Sequence, residues 1–472
     1  MTLKARLLEG TALITLAEAL ILPTGFLTLT FLTRQLGTDG YGLFALAATL
    51  VTWIEWGLNS VFSRTTIKFV SEADDPTEVS TAVIKAQLGC GLLAALCVVL
   101  AAPAIASLLH EPTLIPLLRL FSLEIPLVNL AQAHQNILAG MSKFGARAAA
   151  TAVRWIVRLV MMVALVSMGF SIVGAILGSL AAMLADLLVC RCYIRPSFWQ
   201  RSAFPLSALA GYAAPLFLAA FSLRLYAKVD LIAFKALGGS AEQAGIYAVA
   251  QNLALFGGVM SPALAPVLIA TLSRLLSQNQ PEKVLLLSSA AMRVVLLHLP
   301  FAGLLIGSAA EIIPMLFGNP FLPAAPLFSL LLLSTIATVM VAVTSAILVA
   351  SDRPRWTAFL AVPLPVLAIA GHWLVVPRYG ALGAAMVTAI VSWLGAIAGI
   401  LAVYARWRVL PAAMTILRCA ACGVLGAIAT HYWATPNLWL WAKLPLMALV
   451  MLLLLWQLGE ISASDIKLFQ SR

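Results

Sequence analysis

The sequence predicts an all-α integral membrane protein. The expected architecture is about 14 transmembrane helices, as two parallel-repeat six-helix bundles around a central cavity plus two extra C-terminal helices, with both termini cytosolic. Three observations predict it. Hydrophobic residues make up 62% of the 472 and charged residues only 10%, whereas a soluble domain is about half apolar and a quarter charged. The apolar residues fall in runs long enough for a helix to cross roughly 30 Å of hydrocarbon, and barrel strands need only ~10 alternating residues. The chain also repeats short stretches of its own sequence, in order, at a nearly constant offset.

The first bundle reads as spans 7–33, 41–65, 82–106, 113–140, 147–168 and 171–194. The second reads as 208–234, 244–273, 284–310, 323–350, 356–377 and 380–404, and the appended pair as 411–432 and 436–457. This gives expected domains of 1–200, 201–410 and 411–472. The first run is too long for a signal peptide and has no small-residue cleavage site. Every connection is short, so no extramembrane domain is expected.

Orientation follows from lysine and arginine. With the N-terminus inside, the outer loops and ends hold only Arg34, Lys235, Arg378 and Lys443. The cytosolic ends and loops hold many more, from Lys4 and Arg6 to Lys467 and Arg472, as the positive-inside rule requires. That asymmetry also accounts for the net charge of +11 without a nucleic-acid partner.

The repeat is carried by three pairs. Gly42–Ala47 (GLFALA) recurs as Gly245–Ala250 (GIYAVA), Phe121-Ser122-Leu123 as Phe328-Ser329-Leu330, and Phe170–Ala175 as Tyr379–Ala384. An even number of spans separates the copies, so both halves face the same way, the arrangement of parallel-repeat transporters with a site at mid-membrane.

A charge at mid-membrane costs at least ~2.5–3.5 kcal/mol, so such residues normally face an interior cavity. Arg154 and Arg158 lie ~10 and ~16 Å from the cytosolic edge of their span and continue a single stripe from Lys143 and Arg147. Arg224 and Lys228 sit one turn apart in another span, with Asp230 close by. Arg119 and Arg293 are further intramembrane cations, and Glu18, Glu55, Glu124 and Asp186 further carboxylates. Like charges on one face repel in low dielectric, so neighbouring carboxylates or a bound anion must satisfy them. Arg154, Arg158, Arg224, Lys228, Arg119 and Arg293 are therefore the candidate anion-cavity residues, suited to a phosphate or pyrophosphate. Glu18, Glu124 and Asp230 are the candidate coupling or charge-balancing groups. Lys143, Arg147, Lys235 and Arg418 read as snorkelling to headgroups.

Pro23, Pro126, Pro215, Pro262 and Pro266 are expected to interrupt spans. Gly174–Gly178, Gly303–Gly307 and Gly395–Gly399 read as close helix packing. The six cysteines complete no metal-ligand set, and no phosphate-loop, H-E-x-x-H or G-x-S-x-G motif appears. No metal, cofactor or catalytic residue is expected.

Arg34-Gln-Leu-Gly37 followed by Gly40-Tyr-Gly-Leu-Phe44 resembles the R-x-L-G…Y-G-x-F signature of the polysaccharide-export (oligosaccharide flippase) family. That family belongs to the multidrug/oligosaccharidyl-lipid/polysaccharide exporter superfamily. Asp230, Leu237-Gly238 and Gly245-Ile-Tyr247 resemble its D…LG…G-x-Y stretch, and Gly57-Leu58 and Ala381–Ala384 also fit. The resemblance implies a flippase that moves a polyprenyl-pyrophosphate-linked oligosaccharide across a bacterial inner membrane, from the cytosolic to the periplasmic leaflet, for surface polysaccharide synthesis. It implies membrane lipids, H+ or Na+ as coupling ion, and other polysaccharide-assembly proteins as partners. Lipid II flippases and cation-coupled multidrug exporters of the superfamily are the alternatives. Lipid II flippases are similar to one another in carrying arginines in spans one and two, where this chain has Glu18 and Glu55. A membrane enzyme of glycan assembly is the rival class.

Overall fold

A computed structural model describes residues 13–73, 75–196, 228–258, 261–351, 354–435 and 439–460. Among these the only regular structure is helix, because in hydrocarbon a helix satisfies every backbone polar group within its own segment. Nine described helices are long and apolar enough to cross a membrane. Three of them, Leu13–Glu72, Phe144–Tyr193 and Phe359–Trp407, each hold two of the expected spans. The first would be ~90 Å long if straight. Instead it breaks at Gly37 (φ 69°), a conformation that glycine adopts without a Cβ penalty.

The chain divides into two compact units, Met1–Gly245 and Ile246–Arg472. The first contains α1 (Ile21–Glu72), α2 (Pro76–Leu108), α3 (Leu114–Phe121), α4 (Glu124–Gly140), α5 (Phe144–Leu165) and α6 (Ser171–Tyr193). Asp75 caps α2 by accepting the Thr77 N–H at 2.9 Å, and the Thr77 hydrogen bonds hold its carboxyl below the ordinary range. A core of Val70, Val83, Ile84, Ile137, Leu138, Ala150 and Leu187 joins α1, α2, α4, α5 and α6. Span four is split at Ser122-Leu123 into α3 and α4. Pro126 therefore falls in the first turn of α4, where its missing N–H deprives the helix of no hydrogen bond. The expected interruption is real, and it lies just before the proline.

The unit boundary falls inside α7 (Ala241–Leu255), downstream of the 200/201 boundary expected from the repeat. Residues 228–245 associate with the first unit through specific contacts. Lys235, expected to snorkel, is only 2% exposed and pairs with Glu111 at 3.0 Å. Burial acts to raise the Glu111 carboxyl, but hydrogen bonds from Thr113 and Lys235 and the Lys235 charge outweigh it and hold it below the ordinary carboxylate range. A Cβ on Gly42 would land on the Ala241 carbonyl oxygen, and one on Gly245 on the Thr38 carbonyl oxygen. The two contacts are reciprocal at the repeat offset, so these repeat-related glycines are where the two backbones touch.

The second unit contains the remainder of α7, then α8 (Ser261–Ser277), α9 (Pro281–Leu296), α10 (His298–Gly307), α11 (Ala309–Phe317), α12 (Ala324–Ala350), α13 (Pro354–Ala361), α14 (Pro363–Trp407), α15 (Ala413–Tyr432) and α16 (Leu440–Gln457). Helix α12 is its most buried span and packs along α14, with Ser334 and Ser392 hydrogen-bonded across the crossing at 2.7 Å. Gly303 and Gly307 bring α10 against Gly423 and Ala427 of α15. In the first unit Gly178 lies against the Met162 backbone, and in the second Gly399 lies against Thr344. All three glycine steps are packing sites, as expected.

The repeat also shows in the backbone. Ser171 (φ 49°, ψ −133°) and its counterpart Gly380 (φ 56°, ψ −136°) adopt the same rare conformation, at the turn between two spans. Gly174 and Gly383, three residues on in each copy, pack on the Cβ atoms of Phe170 and Tyr379. Serine pays steric strain at this φ/ψ, roughly 1–3 kcal/mol, where glycine does not. Ser171→Gly is therefore expected to stabilise the protein by about 1 kcal/mol once the added freedom of the unfolded chain is subtracted. Thermal unfolding of the purified variants checks this, and Ser171→Ala, which keeps the strain, should not be stabilised.

Candidate functional site

Several charges of the first unit form one connected network, built by α1, α4, α5 and α6. Arg154 and Arg158 lie one turn apart on α5, so the helix presents both guanidiniums to the same side. Arg154 faces Asp186 of α6 at 3.6 Å, and Asp186 has no exposed side-chain surface. Gln135 of α4 donates to both Asp186 oxygens, at 2.9 and 2.8 Å, and the Cys190 thiol lies 3.6 Å from one of them. The indole of Trp155 lies against both guanidiniums, 4.8 Å from that of Arg154 and 5.8 Å from that of Arg158, close enough for cation–π attraction.

Arg158 interacts electrostatically with two carboxylates, Glu124 at the start of α4 and Glu55 in the second half of α1, which also interact with each other. Ser179 of α6 donates to Glu124 Oε1 at 2.7 Å. Glu124 Oε2 and Glu55 Oε1 are buried without a hydrogen-bond partner, and so is Arg158 Nε. At the other end of the stripe, Arg147 interacts with Asp186 and with Glu18. The sequence left open whether carboxylates or an anion compensate the arginine pair; Asp186, Glu124 and Glu55 supply the carboxylates.

The other expected site residues lie elsewhere. Arg119 is exposed in the last turn of α3. Lys228 is half-buried and Asp230 buried in the helical stretch 228–236, where Asp230 accepts the Leu231 N–H at 2.9 Å. Arg224, with the rest of 197–227, lies outside the described residues. Arg293 belongs to the second unit, where its Nε pairs with Glu460 at 3.3 Å. Arg418, expected to snorkel, pairs with the same carboxylate at 3.0 Å, and Thr415 donates to it at 2.8 Å. Lys443, expected at the outer end of its span, is buried and donates to Glu311 at 2.7 Å and to the Thr430 carbonyl at 2.8 Å. These two ionic clusters sit at opposite ends of α15. Together with the glycine crossing, they fasten the α15–α16 pair to α9, α10 and α11.

Asp186 and Glu55 were visible in the sequence as intramembrane carboxylates and received no role there. Gln135 and Ser179 gave no signal, because a single amide or hydroxyl in an apolar span is ordinary. Among the described residues, no cluster of three or more histidine, cysteine, aspartate or glutamate residues could hold a metal ion.

Comparison with known proteins follows the same lines. The family described as "Polysaccharide biosynthesis protein" matches residues 7–276, more than half of the chain. No curated protein matches at a significant level. Among solved structures, the chain is similar to the lipid II flippase MurJ in an inward closed conformation, with a TM-score of 0.76 at 15% identity, covering 96% of this chain and 99% of that one. It is also similar to an inward-facing multidrug resistance MATE family transporter of the MOP superfamily, with a TM-score of 0.67 at 16% identity, covering 82% and 94%. A MOP superfamily transporter from Pyrococcus furiosus follows, at 0.59 and 14%, covering 85% and 95%. At these identities the structures establish the fold, a transporter-like bundle of apolar helices, and the family match establishes membership. The chain belongs to the polysaccharide biosynthesis protein family.

Proposed function

We propose that the protein is a flippase, not an enzyme, which carries a polyprenyl-pyrophosphate-linked oligosaccharide from the cytosolic to the periplasmic leaflet of a bacterial inner membrane. The oligosaccharide would serve cell-surface polysaccharide assembly. The observation that carries the reading is the buried ionic network of the first unit, in a chain whose family makes polysaccharides and whose fold is that of transporters. Membrane-buried charge is costly and normally functional, and here two adjacent arginines are buried among carboxylates, with Arg158 Nε left without a hydrogen-bond partner. Arg158, half-buried with an unpartnered Nε, is the guanidinium we assign to a pyrophosphate oxygen. Arg154, held by Asp186 and Trp155, positions it. The repeat supports the division 1–200, 201–410 and 411–472 as two rocking bundles and an appendix. The α15–α16 pair is fastened to the rest by Arg293 and Arg418, which in this reading serve as anchors.

Deleting the gene should abolish surface polysaccharide and accumulate the lipid-linked precursor. Wild type should restore the polymer, whereas Arg158→Ala, expressed at an equal level in the membrane, should restore less than about a tenth of it, a loss of transition-state stabilisation of order 1.4 kcal/mol or more. Unchanged polysaccharide with altered drug tolerance would instead favour a cation exporter, the reading that the carboxylates Glu55 and Glu124 best suit.

A further inference from the structure

We propose that Arg293 and Arg418 form a binding site for the phosphate of an anionic phospholipid, at the inner end of the α15–α16 pair. The site lies within the second unit and does not depend on the transport reading above.

Three helices bring its donors together. Arg418 sits in the second turn of α15 and Arg293 in the last turn of α9. The chain leaving α16 turns at Gly459 (φ 73°), a conformation open to glycine, and delivers Glu460 to both arginines. Arg293 Nε pairs with Glu460 Oε2 at 3.3 Å and Arg418 Nη1 with Oε1 at 3.0 Å, and the Thr415 hydroxyl donates to Oε2 at 2.8 Å. Arg293 also donates to the Gly459 and Glu460 carbonyls, and Arg418 to that of Leu458 at 2.8 Å. Glu460 is only 4% exposed. Two guanidiniums and a hydroxyl converging on one carboxylate make an anion-binding donor set, and guanidinium forks match phosphate oxygens as well as carboxylate ones.

The carboxylate does not exhaust these donors. Both contacts of Arg418 run through Nη1, so its Nε and Nη2 edge meets no acceptor among the described residues. The side chains of Arg293 and Arg418 stay 32% and 35% exposed. The cluster at the other end of α15 differs in this respect, since Lys443 there is sealed at 1%. The inner cluster is the open one.

Its depth matches a headgroup. Trp441 and Trp456 are exposed near the two ends of α16, ~22 Å apart along the helix axis. Tryptophan collects at membrane–water interfaces, so this pair marks the two headgroup layers, and Glu460 lies one turn past Trp456. The orientation expected from the lysines and arginines puts this end on the cytosolic side, where anionic lipids concentrate and basic pockets between helices bind their headgroups. Met414 and Leu417, exposed on the same turns of α15 as Arg418, give acyl chains a surface to lie on, which favours a lipid over free phosphate. A lipid phosphate on the open edge of Arg418 and beside Arg293 bridges α15 and α9, adding to the contacts that fasten the α15–α16 pair.

Native mass spectrometry of the full-length protein, titrated with phosphatidylglycerol, counts the lipid that stays bound. Wild type should retain one phosphatidylglycerol several-fold more tightly than phosphatidylcholine. Arg418→Gln should weaken that retention about fivefold, the ratio that ~1 kcal/mol per surface arginine gives. Arg406→Gln, at an exposed arginine of the inner end of α14, should leave it unchanged. Glu460→Gln keeps an oxygen for Thr415 but removes the internal competitor's charge, so retention should tighten about twofold or more. Arginines that merely fastened helices would leave lipid retention the same in both variants. Should Arg418→Gln fail to fold, Arg418→Lys, which keeps the charge without the fork, should lie between it and wild type. Equal retention of the two lipids by wild type would overturn the proposal, as would unchanged phosphatidylglycerol retention in folded Arg418→Gln or Arg418→Lys. Displacement of the lipid by inorganic phosphate at equal concentration would also overturn it, in favour of a free-anion site.

Discussion

Asp186→Ala is expected to destabilise the first unit by about 3–5 kcal/mol, the usual cost of removing one partner from a buried ion pair. Asp186 is fully buried and lies 3.6 Å from Arg154. Truncation would strand the Arg154 guanidinium, of which only 10% of the side-chain surface is exposed. It would also leave the Gln135 amide, which donates to both carboxylate oxygens, without an acceptor. Thermal unfolding in detergent, followed by the tryptophans, should show a large drop for Asp186→Ala. A smaller drop is expected for Asp186→Asn, which retains an oxygen for Gln135. The double variant Asp186→Leu/Arg154→Met should recover much of the loss, because replacing both members of a buried pair by apolar residues is often neutral. An unchanged Asp186→Ala would mean that water or lipid headgroups already solvate Arg154.

Gly303→Leu should cause the next largest effect, a loss of roughly 3 kcal/mol or more through overpacking. A Cβ on Gly303 would coincide with the Gly423 carbonyl oxygen, and the neighbouring step Gly307 meets the Ala427 carbonyl and the Thr430 hydroxyl. Helix backbones in contact leave no flexible side chain to give way, so α15 must move off α10. Two ionic clusters oppose that movement, Glu460 with Arg293 and Arg418 at one end and Lys443 with Glu311 at the other. The expected outcome is loss of the α15–α16 contact with the rest of the unit intact. A disulfide between cysteines placed on α10 and α15 should form readily in the parent protein and poorly in Gly303→Leu. Gly25→Leu, where a Cβ meets nothing within 4 Å, is the control for the mutation itself.

Much of the fold was legible because it is written in local sequence. Hydrophobic run length locates the spans, and glycine spacing locates the close crossings. The repeat pairs Phe170–Ala175 with Tyr379–Ala384, and the structure gives Ser171 and Gly380 the same backbone conformation. The ionic partners were not legible, since charge pairing in a membrane is decided by which helices meet. Asp186 lies one helix away from Arg154, and Glu460 lies far downstream of Arg293. A cation that ends its life paired looks the same in sequence as one that snorkels, which is why Lys235 and Arg418 read as snorkelling. For the same reason Arg154 with Arg158 stood out as a lone cationic pair until Glu55, Glu124 and Asp186 were found against them. The structure also separates the expected cations into those of the network and those, such as Arg293, that fasten helices.

If the buried network of the first unit serves the passage of a pyrophosphate-linked glycan between leaflets, as proposed above, transport must depend on Arg158. That dependence is tested most directly by reconstituting the purified protein in vesicles with a fluorescent polyprenyl-pyrophosphate oligosaccharide and following its exposure to a membrane-impermeant quencher. Wild type should expose the inner pool, and Arg158→Ala, compared at an equal amount of folded protein, should do so at least tenfold more slowly. A wild-type protein that exposes none of the inner pool, or an Arg158→Ala variant that flips at the full rate, would contradict it.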